Sequence, residues 1–422
     1  MKTELENFVA MRYGMFIHYG LFSMLERGEW VMNREKISPA EMENIAAKFN
    51  PVNFNADEIC QLAVDGGMKY LVFTTMHHEG FRMYDTALTS FNAKAVCGRD
   101  LISEIVAAAK KYGLKIGLYH SLNNWHDQPD AVAALESKDA YETFISNTMN
   151  RIRELVSKFE HLDIFWYDGW WPFDAEGWQA EKMNAMVREF HPDILFNGRN
   201  CLPGDFGTPE QHLTVPEPWR PWEACMTLND HWGFHRGDDE WKSPKTVIKM
   251  LLACANGKGN LLLNVGLRGD GSIPEQTSKI IREVGSWIKN GGIDAISNNN
   301  IMKLGPYYRK ADEHTDWDNN VIFSSSGSNL CLTLLYDPGD ILTLSGIESK
   351  ISKISSFNCP DIPFRQLNDK VIIELPEILH SQFCPVLKME CNGIPSIYRT
   401  GGMRVPECRH PRYDPAPSDI QY

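Results

Sequence analysis

Between polar stretches of helical character the chain carries short runs that are apolar throughout, where a half-exposed strand would alternate. The first is Gly14-Met15-Phe16-Ile17-His18-Tyr19-Gly20, followed by Lys69 to Met76, Leu114 to Ser121, Leu162 to Asp168 and Asp193 to Arg199. Helical patterns over Leu101 to Tyr112 and Tyr141 to Phe159 separate them, and others are expected near 243–256 and 275–289. Weaker strand candidates at Ala224 to Leu228, Asn260 to Val265 and Ile293 to Ser297 bring the number to about eight, and repeated βα units in that number predict an α/β fold of the (β/α)8 TIM-like barrel type. No GxGxxG follows the first strand, so a dinucleotide-binding sheet has no support.

Past about residue 305 the pattern changes to short β-rich runs, Asn320 to Phe323, Leu330 to Leu335 and Lys370 to Leu375, punctuated by Gly, Pro, Ser and Asn. They predict a small C-terminal antiparallel β-sandwich, and hence a catalytic barrel domain over 1–304 and a sandwich domain over 305–422. Pro406, Pro411, Pro415 and Pro417 are expected to make the final residues trail along the surface.

The 422 residues include 42 Lys and Arg against 55 Asp and Glu, a net charge of −13, with no basic run. Nucleic acid is therefore not expected as a partner, because phosphate contacts need clustered cations. No segment has the length of a membrane span or a signal-peptide core, so a protein independent of membranes, in the cytoplasm, is expected. Ten scattered cysteines form no CxxC pair and suggest buried thiols, with neither a disulfide framework nor a structural metal.

The strands end in residues able to carry chemistry: His18, His77 with His78, Tyr119 with His120, Asp168 and Arg199. Such endings converge only where strands form a ring whose C-terminal rim is the active face. Asp168 closes the most aromatic strand, among Trp166, Trp170, Trp171 and Trp178, and aromatic walls beside a carboxylate suit the apolar face of a sugar ring. A helix N-cap is the plainer reading of that Asp. The loop from Asn200 to Trp222 has no helical pattern and supplies a second carboxylate, Glu210, which would otherwise cap a turn after Thr208-Pro209. A metal at His77 and His78 lacks a completing carboxylate or an HExxH, so no metal and no cofactor are expected. Serine or thiol nucleophiles lack a base arrangement or an elbow motif.

Taken together, these stretches resemble the α-L-fucosidases of glycoside hydrolase family 29. The matching motifs are Gly14 to Gly20 for FGxFIHWG, Gly28-Glu29-Trp30 for GEW, His77-His78-Glu79-Gly80-Phe81 for KHHDGF and Arg99-Asp100-Leu101. Further along come Gly117 to Ser121 for GLYYS, Trp166-Tyr167-Asp168-Gly169, and Asn260 to Gly266 with Asp270-Gly271 for LLLNxGPxxDG. The resemblance implies a retaining exo-glycosidase with Asp168 as nucleophile and Glu210 as general acid/base. It also implies that His18, Glu29, Trp30, His77, His78, Tyr119, Trp166, Arg199 and Trp222 line the fucose pocket. The implied partner is a fucosylated oligosaccharide, and a homo-oligomer is compatible.

The chain departs from the family at Met76, Glu79, Tyr19 and His120, each expected at or beside the pocket, where it would bear on the sugar preferred more than on the reaction. The segment Thr208-Pro209-Glu210-Gln211, with Trp222 to Thr227 and Trp232-Gly233-Phe234, resembles the branch preferring α-1,3/1,4 linkages. Rival readings are a hydrolase of a related sugar such as an α-L-galactoside, a catalytically silent carbohydrate-binding protein, and a metal-dependent barrel hydrolase.

Overall fold

The computed structural model describes residues 3–297, 300 and 321–397. Seven strands form one parallel sheet: β1 (Tyr13–His18), β2 (Tyr70–Met76), β3 (Lys115–Ser121), β4 (Ile164–Asp168), β5 (Leu195–Phe196), β6 (Glu223–Met226) and β7 (Asn260–Gly266). Their order is β5-β4-β3-β2-β1-β7-β6, which leaves β5 and β6 at the two edges. Residues 206–210 fill that gap. Phe206 bridges Asn197 just past β5, while Gly207 and Glu210 bridge Trp222 and Cys225, all in parallel. A barrel of eight staves results, the eighth being a short stretch inside the segment expected to be a structureless loop.

The expected eighth strand, Ile293 to Ser297, is instead helical over Ile293–Ile296. It belongs to the second compact unit, which begins at Asn290, whereas the first runs through Lys289. The Ile293-Asp294-Ala295-Ile296 stretch carries an apolar signal that periodicity over five residues cannot assign to strand or helix. The expected boundary at 304/305, Cys408 and the proline-rich end all lie outside the described residues.

Alternation along the strands fills the barrel. Phe16, Tyr70, Val72, Tyr119, Ile164, Trp166, Leu195, Phe206, Cys225 and Leu262 form one buried cluster with Phe8 and Val9 of the helix Thr3–Met11. That helix plugs the barrel at the start of β7, where Asn260 donates to Phe8 O at 2.8 Å and accepts from Arg12 N at 3.1 Å. A buried carboxyl also meets this cluster: Glu223 accepts from Tyr70 OH at 2.6 Å and from Trp166 Nε1 at 3.0 Å. Burial pushes its carboxyl up to about 7, against the pull of those two donors.

Outer helices follow the expected pattern, with Leu101–Tyr112, Lys138–Ser157, Pro244–Asn256 and Glu275–Trp287 close to the predicted spans. Leu101–Tyr112 starts where Asp100 accepts from Ser103 N at 2.9 Å and stops at left-handed Gly113.

Among its described residues the second unit holds two antiparallel sheets, of four and three strands. The strands are β8 (Val321–Ser326), β9 (Asn329–Leu334), β10 (Ile341–Leu344), β11 (Ile351–Ser355), β12 (Phe364–Leu367), β13 (Lys370–Glu374) and β14 (Val386–Cys391). Leu330, Leu332, Leu344, Ile354, Val371, Ile373 and Leu387 pack between them, as expected of a sandwich. Most of the nine described cysteines are buried. No helix among the described residues is long and apolar enough to cross a membrane.

Candidate active site

At the C-terminal ends of the strands lies a cavity of about 110 Å³, lined by Phe16, His18, Trp30, His77, His78, Tyr119, Trp166, Asp168, Trp170, Trp171, Arg199, Glu210, Cys225 and Trp232. This volume is far below the roughly 300–1,000 Å³ of sites that take drug-sized ligands, so it suits one small ring. A larger open groove of about 790 Å³ runs past Phe54, Arg99 and Lys111. Its two cations are already paired, Arg99 with Glu104 and Lys111 with Asp57.

Inward positions on β1, β3 and β4 supply Phe16 and His18, Tyr119, and Trp166 with Asp168. Two side-chain amide bonds extend the β4–β5 pairing: Asn197 Oδ1 accepts from Tyr167 N, and its Nδ2 donates to Tyr167 O, each at 2.9 Å. Gly169 follows at φ +67°, where a Cβ would stand 2.6 Å from Ser121 Oγ, so a residue with a side chain cannot make this turn.

Asp168 accepts from Tyr119 OH at 2.7 Å through Oδ2 and from Arg199 Nη1 at 3.0 Å through Oδ1. Burial alone would raise its pKa, but the charge of Arg199, the nearby His78 and these two donors hold it below the usual carboxylate range. Asp168 is therefore ionised. Arg199 reaches Glu210 Oε2 at 2.7 Å with Nη2, and its guanidinium lies over Trp166 at 4.7 Å and Trp170 at 5.5 Å. Glu210 is 41% exposed, against 13% for Asp168.

Adjacent His77 and His78 both reach the cavity, although neighbouring strand residues point to opposite faces. The β2–β3 register shifts between Thr74 and Met76, β2 ends at Met76, and the chain turns through Gly80 at φ +86°. Burial drives both imidazoles down, His78 to about 4, and His18 to about 3, so all three are neutral near pH 7. Trp30 stacks on Trp171 and presents an edge to His78 at 5.4 Å. Among the described residues no group of three or more His, Cys, Asp or Glu is arranged to hold a metal ion. An ionised carboxylate, a second carboxylate on the rim, neutral imidazoles and an aromatic wall are the parts needed to hold and cleave a glycosidic bond.

Residues 2–292 match the family model described as Alpha-L-fucosidase. The chain belongs to the alpha-L-fucosidase family. It is thus a member of a family of glycoside hydrolases. Tissue alpha-L-fucosidase of Bos taurus is 26% identical over 383 residues, covering 82% of this chain and 79% of that protein. Alpha-L-fucosidase isoenzyme 1 from Paenibacillus thiaminolyticus superposes with a TM-score of 0.80 at 28% identity, covering 92% of this chain and 99% of that one. A Bacteroides thetaiotaomicron family 29 alpha-L-fucosidase, solved as a trapped covalent intermediate, shares the fold with a TM-score of 0.79 at 22% identity, covering 93% and 97%.

Against the fucosidase motifs, nine expected site residues border the cavity: Asp168, Glu210, His18, Trp30, His77, His78, Tyr119, Trp166 and Arg199. Two do not. Trp222 is buried on the outer side of β6, where its Nε1 donates to Gly257 O at 2.9 Å. Glu29 stands behind the wall, accepting from Gly233 N at 2.8 Å, and burial raises its pKa. It thereby holds the turn that carries Trp232, whose ring lies 5.2 Å from His18. Phe16 and Trp232 are wall residues outside the expected pocket set; alternation from His18 marks Phe16, whereas Trp232 is marked in sequence only by the resemblance to the α-1,3/1,4 branch.

Three of the four departures from the family motifs also lie away from the cavity. Tyr19 packs on Phe54 and donates to Gly269 O at 3.1 Å, His120 pairs with Thr75 Oγ1 at 2.9 Å, and Met76 meets Asn124. Tyr19 and His120 follow inward-facing His18 and Tyr119, so the pleat turns them outward. Only Glu79 meets a wall residue, His77.

Proposed function

We propose that this chain is an exo-acting, retaining α-L-fucosidase that removes terminal α-L-fucosyl residues from oligosaccharides. The observation that carries the reading is the ionised Asp168, braced by Tyr119 and Arg199, in a cavity with room for one ring. In the first step an Asp168 oxygen forms a bond to the anomeric carbon. The bond to the leaving oxygen breaks as Glu210 delivers its proton there. In the second, Glu210 takes a proton from water, and the water oxygen replaces Asp168 on the anomeric carbon, releasing fucose with its configuration retained.

The Arg199–Glu210 ion pair has to open before Glu210 carries a proton, and the exposure of Glu210 gives solvent access for that. Phe16, Trp166 and Trp232 offer apolar surface for the 6-methyl group and ring face, and neutral imidazoles suit the ring hydroxyls. The covalent intermediate trapped in the Bacteroides relative supports double displacement as the family's route. A preference for α-1,3/1,4 linkages is the finer part of the proposal and rests on the Thr208 to Gln211 and Trp232 to Phe234 resemblance.

The test is hydrolysis of an aryl α-L-fucoside by wild type, Asp168→Gly and Glu210→Ala, with and without azide. A β-fucosyl azide from Asp168→Gly and an α-fucosyl azide from Glu210→Ala would support both roles. Loss of general acid/base help should cost roughly 10²–10⁴ in rate. Wild type inactive on the fucoside but active on an aryl α-L-galactoside would transfer the assignment to that sugar. Binding of fucose, unchanged in Asp168→Gly and without turnover of either glycoside, would leave a carbohydrate-binding protein.

A further inference from the structure

Three imidazoles line the cavity, and the partner of each Nδ1 determines what its Nε2 can do. His18 Nδ1 lies 2.7 Å from Asn264 Oδ1, an amide oriented by its own donation to Trp232 O at 2.7 Å. His78 Nδ1 lies 2.6 Å from Ser121 Oγ, whose hydroxyl donates to Asn123 O at 2.7 Å. In both rings Nδ1 therefore carries the hydrogen, and Nε2 is left as an acceptor.

His77 is built differently. Its Nδ1 has no hydrogen-bond partner and faces Glu79 Oε2 at 3.7 Å, an oxygen that is itself without one. Both side chains are buried, 3% and 0% exposed, so two unsatisfied polar atoms confront each other away from water. The other carboxyl oxygen, Oε1, accepts from Leu21 N at 3.1 Å, which settles which end of Glu79 faces the ring. Burial pushes the Glu79 carboxyl up to about 8, while its backbone donors and Arg82 pull it down. With Oε1 taken as an acceptor, Oε2 is the oxygen free to carry a carboxyl hydrogen.

We propose that Glu79 is a positioning residue which, as a neutral acid, closes the 3.7 Å gap to donate to His77 Nδ1 and so makes His77 the Nε2–H donor among three cavity imidazoles, His18 and His78 being acceptors. Two substrate hydroxyls would then give hydrogens to His18 and His78, while His77 would give one to a substrate oxygen. The inference deepens the fucosidase reading and rests on it for its kinetic arm alone.

The titratable groups facing the pair are His18 on β1, His78 beside it, Tyr119 on β3 and Arg82 beyond Gly80. His18 and His78 stay neutral and Tyr119 stays protonated between pH 5 and 9, and the guanidinium of Arg82 is paired with Asp127. Glu79 is therefore the group of this cluster that titrates in that window.

The test is the tautomer of His77 in the whole protein labelled with ¹³C,¹⁵N-histidine, its signals assigned by their loss in His77→Gln. Nε2–H for His77 at pH 6.5, beside Nδ1–H for His18 and His78, is expected, with His77 converting as pH rises through about 8. Nδ1–H for His77 at pH 6.5 would overturn the proposal. In Glu79→Gln the amide oxygen meets Leu21 N–H and the NH2 faces the ring, so Nε2–H should persist to pH 10. Glu79→Leu should raise KM for the aryl fucoside roughly tenfold with kcat changed less, Glu79→Gln recovering most of it. A Glu79→Gln as impaired as Glu79→Leu would count against the neutral-acid role. If wild type turns over no fucoside, the fucosidase reading fails while the tautomers still decide this one.

Discussion

Arg199 Nη1 lies 3.0 Å from Asp168 Oδ1, and both side chains are about seven-eighths buried. Such a pair is costly to bury and costlier to break, because the survivor keeps its charge without a partner. Arg199→Met is expected to lower kcat/KM by about 10²–10³, the loss of a buried partner. Arg199 holds the Asp168 pKa down, so without it Asp168 protonates at a higher pH. A pH profile of kcat/KM checks this: the acid limb should move upward, and an unmoved limb would show that Arg199 does not set the charge of Asp168.

Tyr119 donates to the other Asp168 oxygen at 2.7 Å. Tyr119→Phe removes one hydrogen bond to an ionised group without changing the ring, and should cost about 10–100-fold in kcat/KM. Steady-state kinetics beside a thermal melt separate this from misfolding. An unchanged melting temperature with a loss in kcat is the expected result.

Glu223 gives a stability prediction with a definite sign. Its folded pKa is raised by burial from 4.5 to about 7, so its contribution is fully present below about pH 4.5 and is lost as pH rises through 7. The shift corresponds to about 3 kcal/mol at most, a few degrees in Tm. Melting curves from pH 5 to 8.5 should slope downward in wild type and less so in Glu223→Gln, with the Glu79 contribution, lost through about 8, remaining in both.

A chelator separates the metal-dependent rival. Prolonged dialysis against EDTA should leave the rate on an aryl α-L-fucoside unchanged. Activity lost there and restored by a divalent ion would require ligands not grouped among the described residues.

Much of the site is legible in the sequence. His18, Tyr119 and Asp168 end strands that are apolar along their length, and a residue at the C-terminal end of a barrel strand faces the mouth. The departures Tyr19 and His120 are expected at or beside the pocket from their motifs and lie outside it, because counting two residues at a time from His18 and Tyr119 turns both outward. Glu29 and Trp222 belong to the motifs yet do not border the cavity, because a motif records neighbourhood in sequence, and both neighbours of a lining residue share its motif. Trp222 precedes the inward Glu223, and Glu29 precedes the lining Trp30.

The sequence by itself determined the barrel, the sandwich, the family and the side chains at the strand ends, since apolar period and strand length are local properties that burial on both faces imposes. Only the tertiary structure decided the rest. Residues 206–210 have no strand pattern of their own and become the eighth stave because β5 and β6 leave backbone groups that must be paired. Arg199 meets Asp168 across 31 residues, Trp232 meets His18 across more than two hundred, and Glu223 is buried between Tyr70 and Trp166. Contacts and pKa shifts of that kind depend on which side chains a closed ring brings within a few ångströms and removes from water, and no local pattern encodes that.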